Sequence, residues 1–187
     1  MTKQYGILVD LKRCIGCHTC TMACRMENNI QVGSWIGVET VGGPHADTAK
    51  GTYPNVSMYF VPKMCNHCRH PPCLPTCPTS AIHKREDGIV LVDKQKCNGC
   101  GLCAKACPYE IPRVNREAVV VEMCTLCSHR IDKELEPFCV TCCITRAFEF
   151  GDVSDPDSKI SQSIRKKRAY VLFPERGTEP SVYYSQP

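Results

Sequence analysis

Sixteen of the seventeen cysteines in this sequence fall into four groups, and their spacing is the first chemistry to explain. Cys14, Cys17, Cys20 and Cys24 follow the pattern C-x2-C-x2-C-x3-C, and Cys97, Cys100, Cys103 and Cys107 repeat it, with Pro108 next. Cys65, Cys68, Cys73 and Cys77 form a variant with a wider middle gap, followed by Pro78. The fourth group is looser: Cys124 and Cys127, then Cys139 and Cys143, with Cys142 left over between them. Thiolates are soft ligands, so the candidates are disulfides, zinc and iron–sulfur clusters.

The odd count and the tight triplets disfavour disulfides, because cysteines two residues apart cannot pair without strain. Zinc is the serious rival, since C-x2-C pairs are its usual knuckles. A tetrahedral ion, however, requires no third cysteine at the next x2 position and no fourth beyond it. The run C-x2-C-x2-C-x3-C, closed by proline, is the one that holds cubane [4Fe-4S] clusters in bacterial ferredoxins. Three cysteines wrap three corners of one cube, and the fourth ligates the other cluster of a pair. Paired clusters with crossed ligands are therefore expected.

The rest of the composition agrees with a chain stapled by cofactors. Cysteine is about 9% of 187 residues, several times ordinary usage, while aromatics are 7%. The conventional core is thin, so staples must hold it. A net charge of +4 is too mild to argue for nucleic acid. The longest uncharged run, Gly51 to Pro62, is polar-rich and far short of a membrane span. The first ten residues read neither as a secretory leader nor as a twin-arginine signal. Location stays open between the cytoplasm and, for a chain carried folded by a twin-arginine partner, the far side of the membrane.

Short elements must position these thiols. Ala81–Arg85 and Ile89–Val92, joined through Asp87-Gly88, read as a hairpin. Ile7–Val9, Val119–Val121 and Ala147–Phe150 are apolar runs of strand length. Brief helices are expected after Cys24 and Cys107. The stretch from Asn28 to Pro62, rich in glycine, reads mostly as loop, and the C-terminal residues beyond Gly151 as irregular.

One family has these features in this order. Met64-Cys65-Asn66-His67-Cys68, Pro71-Pro72-Cys73, Thr76-Cys77-Pro78-Thr79-Ser80-Ala81-Ile82, Asp87-Gly88-Ile89-Val90 and Lys96-Cys97-Asn98-Gly99-Cys100, ending Ala106-Cys107-Pro108-Tyr109, resemble the four-cluster iron–sulfur subunit of the dimethyl sulfoxide reductase family of molybdenum or tungsten oxidoreductases. Gly6-Ile7-Leu8-Val9-Asp10, Met123-Cys124-Thr125-Leu126-Cys127, Phe150-Gly151-Asp152 and the tail Gly177–Tyr184 extend the likeness over nearly the whole chain.

The resemblance implies an α+β fold of two nested ferredoxin-like units, with short β-hairpins and helices, long loops and an extended C-terminal tail. Residues 1–27 plus 115–151 would form the outer unit, 63–114 the inner unit, 28–62 an insertion, and 152–187 a tail docked on the partner. It also implies four [4Fe-4S] clusters. Cys65, Cys68 and Cys73 would share one with Cys107, and Cys97, Cys100 and Cys103 one with Cys77. Cys14, Cys17 and Cys20 would pair with Cys143, and Cys124, Cys127 and Cys139 with Cys24. Arg25 and Ile144 replace the usual proline after the fourth cysteine, and Cys142 offers another register, left as a small buried thiol because Cys143 keeps the x3 gap.

A cube with four cysteine ligands has no open position, so it moves one electron at a time. No nucleophile and base, phosphate loop or nicotinamide fingerprint is visible, so catalysis belongs to another subunit. The resemblance makes that a large molybdopterin (Mo or W) chain, linked through this wire to a quinone-reactive membrane anchor or a soluble donor. A free-standing polyferredoxin and a zinc-stapled scaffold are the other readings. Four such clusters bring roughly −8 of charge, and Lys12, Arg13, Arg25, Lys96, Lys105, Arg113 and Arg130 are candidates to offset it. His18, His67, His70 and His129 are candidate N–H donors to sulfur. Arg165-Lys166-Lys167-Arg168 reads as a solvated helix face or partner contact, and Trp35 as packing for the insertion. The tail is expected to bury Tyr170, Phe173, Tyr183 and Tyr184.

Overall fold

The protein is described here by a computed structural model covering residues 3–45 and 47–187. Its central sheet is built from the two ends of the chain. Strand β1 (Tyr5–Val9) pairs antiparallel with β10 (Phe148–Asp152) and parallel with β11 (Val182–Tyr184), giving the order β10-β1-β11. Ile7 lies opposite Phe150 on one side and Val182 on the other. Such a middle strand is buried on both faces, which explains why Gly6 to Val9 is a continuous apolar run.

A second pair repeats the first in miniature. Strands β6 (Ile82–Lys84) and β7 (Val90–Val92) form a hairpin around Arg85–Ile89. In this pair the Asp93 N–H donates to the Ala81 carbonyl at 2.8 Å, and in the central sheet the Asp10 N–H donates to Ala147 at 2.7 Å. Each aspartate then accepts from the first cysteine of a run, Cys97 at 3.1 Å and Cys14 at 3.2 Å. Both runs turn through a left-handed glycine, Gly16 (φ 68) and Gly99 (φ 67). A Cβ at Gly99 would also sit 2.8 Å from the Val119 carbonyl oxygen. Each run then enters a helix, α1 (Thr19–Glu27) or α2 (Leu102–Ala106), from a left-handed residue, His18 or Gly101.

The helices differ from expectation. Neither starts after the fourth cysteine: α1 contains Cys20 and Cys24, and α2 carries Cys103 and stops before Cys107. Cys107 turns extended (ψ 115) ahead of Pro108, because a residue preceding proline is pushed out of the helical region.

The insertion is more ordered than its glycines suggest. β2 (Gly37–Val41) pairs with β5 (Tyr59–Lys63), and between them β3 (Lys50–Thr52) pairs with β4 (Asn55–Ser57), one hairpin extending the other. Val38, Thr40, Val41, Tyr59, Phe60 and Val61 supply the β-branched and aromatic side chains, and Pro62 is tolerated in a two-stranded ribbon.

Val119–Val121 does not join the central sheet. Val119 occupies a left-handed turn (φ 53), and β9 (Val120–Glu122) folds back on β8 (Arg113–Asn115). Two short helices, α3 (Ser128–Ile131) and α4 (Phe138–Thr141), carry the last cysteine group, and α4 packs against α1.

The tail is not irregular. It contains α5 (Lys159–Lys166), capped by Ser158 accepting from the Ser161 N–H, then a 3-10 turn (Pro174–Arg176) and β11. Its anchors are specific: Ile7 N–H donates to Ser181 O, Ser185 N–H to Val9 O, and the Tyr184 hydroxyl to Pro62 O at 2.8 Å. Within this chain Tyr184 is buried, Tyr170 and Tyr183 are half-buried, and Phe173 is 44% exposed. In the basic run, Lys167 binds Asp10 at 2.7 Å while Arg165, Lys166 and Arg168 face solvent.

Candidate metal centres

The elements above bring the cysteines together in fours. Cys65, Cys68, Cys73 and Cys107 line one hollow, walled by Val90, Ile111 and Met123. Cys24, Cys124, Cys127 and Cys139 line another, walled by Ile7, Ile36 and Leu126. In both, the fourth cysteine of one run joins three from another.

The other eight follow from the repeated strand pairs. Cys143 lies four residues before Ala147 and Cys77 four before Ala81, and each sulfur accepts that alanine's N–H, at 3.2 and 3.3 Å. Since Ala147 and Ala81 bond the aspartates that precede Cys14 and Cys97, the ladders place Cys143 toward the first run and Cys77 toward the third. After burial, the charges of Cys143 and Cys17 raise the Cys14 thiol. Cys103 is raised by burial and then by Cys100 and Cys97.

Electrostatic neighbours also link the fours. Cys73 is pushed up to about 12 by burial, by Cys107 and Cys68 beside it, and by Cys103 of the next four. Cys65 is raised well above the usual range by burial and then by Cys124, whose sulfur in turn faces the Cys65 backbone N–H. Cys139, raised by burial and its own neighbours, also feels Cys20. Electrostatic neighbours thus run from Cys103 to Cys73, from Cys65 to Cys124 and from Cys139 to Cys20.

A family model for the 4Fe-4S dicluster domain matches residues 56–153, more than half of the chain. A Halobacterium salinarum protein named as the iron–sulfur subunit of a dimethyl sulfoxide reductase is 41% identical over 97% of this chain and 78% of its own length. A subunit of the tetrathionate reductase of Salmonella typhimurium is 41% identical over 97% and 72%. The arsenate respiratory reductase iron–sulfur subunit of a Shewanella strain is 33% identical over 97% and 95%. This chain belongs to the dimethyl sulfoxide reductase family of iron–sulfur subunits.

The donor chemistry of this iron–sulfur subunit fits its family. All seventeen cysteines are free thiols. Two of the fours, Cys24 with Cys124, Cys127 and Cys139, and Cys107 with Cys65, Cys68 and Cys73, line hollows, as the corners of a cube require. Iron–sulfur clusters with cysteine ligands carry single electrons, and electron transfer is the function of this subunit. Among the described residues no helix is long and apolar enough to cross a membrane.

The sulfurs are served by donors that the sequence reading missed. Thr79 contacts Cys77 and Thr145 contacts Cys143, both at 3.6 Å, and Thr19 lies 3.4 Å from Cys17. The shared C-x-T pattern was the available signal. Burial pushes Cys77 upward, but hydrogen bonds from Thr79 and the Ile82 N–H leave it below the ordinary thiol value. The Thr19 hydroxyl likewise lowers Cys17. Asn28 reaches Cys24 and Cys127 from the helix end.

Among the described residues no side-chain hydrogen bond joins the four singled-out histidines to a cysteine sulfur, although the His67 backbone N–H acts on Cys65. His67 is 1% exposed, accepts the Val90 N–H at Nδ1, and is lowered to about 3 by burial and then Lys84. His129 and Arg130 pair with Glu27, and His70 with Glu179. Of the candidate counter-charges, Arg130 acts on Cys127, after burial and hydrogen bonds from Phe138 and Asn28. Cys142 is half-buried at the end of α4 rather than fully enclosed. Trp35 donates to Glu122 of β9 at 3.3 Å and walls the Cys24 hollow.

Proposed function

We propose that this subunit carries four [4Fe-4S] clusters and relays single electrons to or from a molybdenum or tungsten bis-pyranopterin catalytic subunit. The ligand sets are Cys77 with Cys97, Cys100 and Cys103; Cys65, Cys68 and Cys73 with Cys107; Cys24 with Cys124, Cys127 and Cys139; and Cys14, Cys17 and Cys20 with Cys143. The observation that carries the reading is the row of fours, linked at Cys103–Cys73, Cys65–Cys124 and Cys139–Cys20. Cys17 and Cys100 are exposed at its two ends, where electrons could enter and leave. Residues 63–114 act as the inner ferredoxin-like unit and 1–27 with 115–151 as the outer one, a division supported by the repeated strand and cysteine-run motif. The partner's substrate class, from the names of relatives, spans sulfoxides, sulfur oxyanions and arsenate. A quinone-reactive anchor or a soluble donor would take the other end, and residues 152–187 would present their exposed side to the catalytic subunit.

Iron analysis of anaerobically purified protein should approach about sixteen irons per chain. Cys107→Ser should alter the cluster signal shared with Cys65, Cys68 and Cys73. Spectra in which Cys107→Ser and Cys97→Ser change one and the same cluster would overturn the map.

A further inference from the structure

We propose that Asn28 sets the potential of the cluster held by Cys24, Cys124, Cys127 and Cys139, its side-chain amide donating to the sulfurs of Cys24 and Cys127. The inference rests on the ligand set proposed above. Asn28 closes α1 four residues after Cys24, where its backbone N–H donates to the Cys24 carbonyl at 3.1 Å. Its Nδ2 lies 3.0 Å from that same carbonyl, 3.8 Å from the Cys24 sulfur and 3.9 Å from the Cys127 sulfur. An amide nitrogen has two protons. With one taken by the carbonyl, the other lies between the Cys24 sulfur and the sulfur of Cys127, a residue 99 positions on from Asn28. Asn28 lines the cavity itself, among walls that include Ile7, Ile36, Met64 and Leu126. In such surroundings a dipole is weakly screened, so its orientation matters more than it would in water.

The direction of the effect follows from charge. Reduction adds one electron and no proton to the cluster and its sulfurs, and a donor aimed at them favours the more negative state. Asn28 therefore raises this potential relative to a side chain without N–H. Since this set adjoins the Cys65 set on one side and the Cys20 set on the other, it is an interior step whose level controls passage in both directions.

The test is an EPR-monitored redox titration of the iron-loaded protein carrying Asn28→Leu, with Asn28→Ala as a second side chain that cannot donate. At a fixed poised potential the reduced-to-oxidised ratio of one cluster should fall on the order of tenfold, about 59 mV for one electron, while iron content and the other three midpoints hold. Cys24→Ser and Cys127→Ser identify the signal. If they perturb two different clusters, the ligand set fails and the inference goes with it. If they perturb the same cluster and neither Asn28 variant moves its midpoint, the ligand set stands and the role of Asn28 is refuted. Should Asn28→Leu load less iron, the smaller Asn28→Ala decides by its midpoint.

Discussion

The interior and the ends of the row are built differently. In the two middle sets, Cys65, Cys124 and Cys139 are raised far above the usual thiol range by burial, and apolar side chains wall the cavities. At the ends, Cys17 and Cys100 are exposed, and Cys17 and Cys77 fall below the ordinary value because hydroxyl and backbone donors reach them. Burial disfavours the charged thiolate, and donors favour it. The middle therefore depends most on metal to justify putting so many thiols together, whereas each end combines an exposed, donor-served thiol with a buried one, Cys20 or Cys103.

The largest effect should come from removing a middle ligand. Cys124→Ala is expected to cost more than about 4 kcal/mol through lost metal and lost packing, seen as protein that cannot be purified with iron. Cys100→Ala should leave the remaining clusters in a folded chain. Equal damage from both would erase the distinction drawn between interior and ends. Truncation after Gly151 comes next. It removes β11 and with it Val182 and Tyr184, each nearly fully buried, so thermal bleaching of the clusters should shift down by several kcal/mol equivalent. A truncated chain with unchanged bleaching would show that the central sheet does not need its third strand.

Acid sharpens the same contrast through a histidine lying inside a middle cysteine run. His67, in a middle run, is held at about 3 against an ordinary 6.5, so its neutral form contributes stability that is full above pH 6.5 and is lost as pH falls toward 3. Between pH 6.5 and 5 the loss should be about 2 kcal/mol, and His67→Gln should flatten that slope. The smallest effect belongs to the end donors. Thr79→Val or Thr145→Val should lower the potential of one end cluster by less than the Asn28 variants lower theirs, because the neighbouring Ala81 and Ala147 N–H bonds to sulfur remain.

Much of this was legible because cysteine spacing is a direct record of ligand geometry. The hairpin at Asp87-Gly88 and the strand at Ile7–Val9 could be read from local pattern alone. What escaped depended on pairing across long stretches. Val119–Val121 looks like any apolar strand, and only its left-handed first residue and its partner Arg113–Asn115 turn it away from the central sheet. The insertion was hidden by its glycines: Gly42 and Gly43 lie between strands, but Gly37 and Gly51 sit within the strands themselves. Asn28 was invisible for a different reason: an asparagine at a helix end is ordinary, and its value comes from a sulfur brought from far along the chain.

The parallel pairing of β11 with β1 also orders events during synthesis. The first strand leaves the ribosome with neither neighbour available, since both are encoded beyond residue 147, and Cys14, Cys17 and Cys20 wait equally long for Cys143. The segment from Cys65 to Cys107, by contrast, holds all eight cysteines of two proposed ligand sets before the outer partners emerge. Metal delivery should therefore begin at the heart of the molecule and finish at its termini, making the closing strand a checkpoint that only a full-length chain can pass.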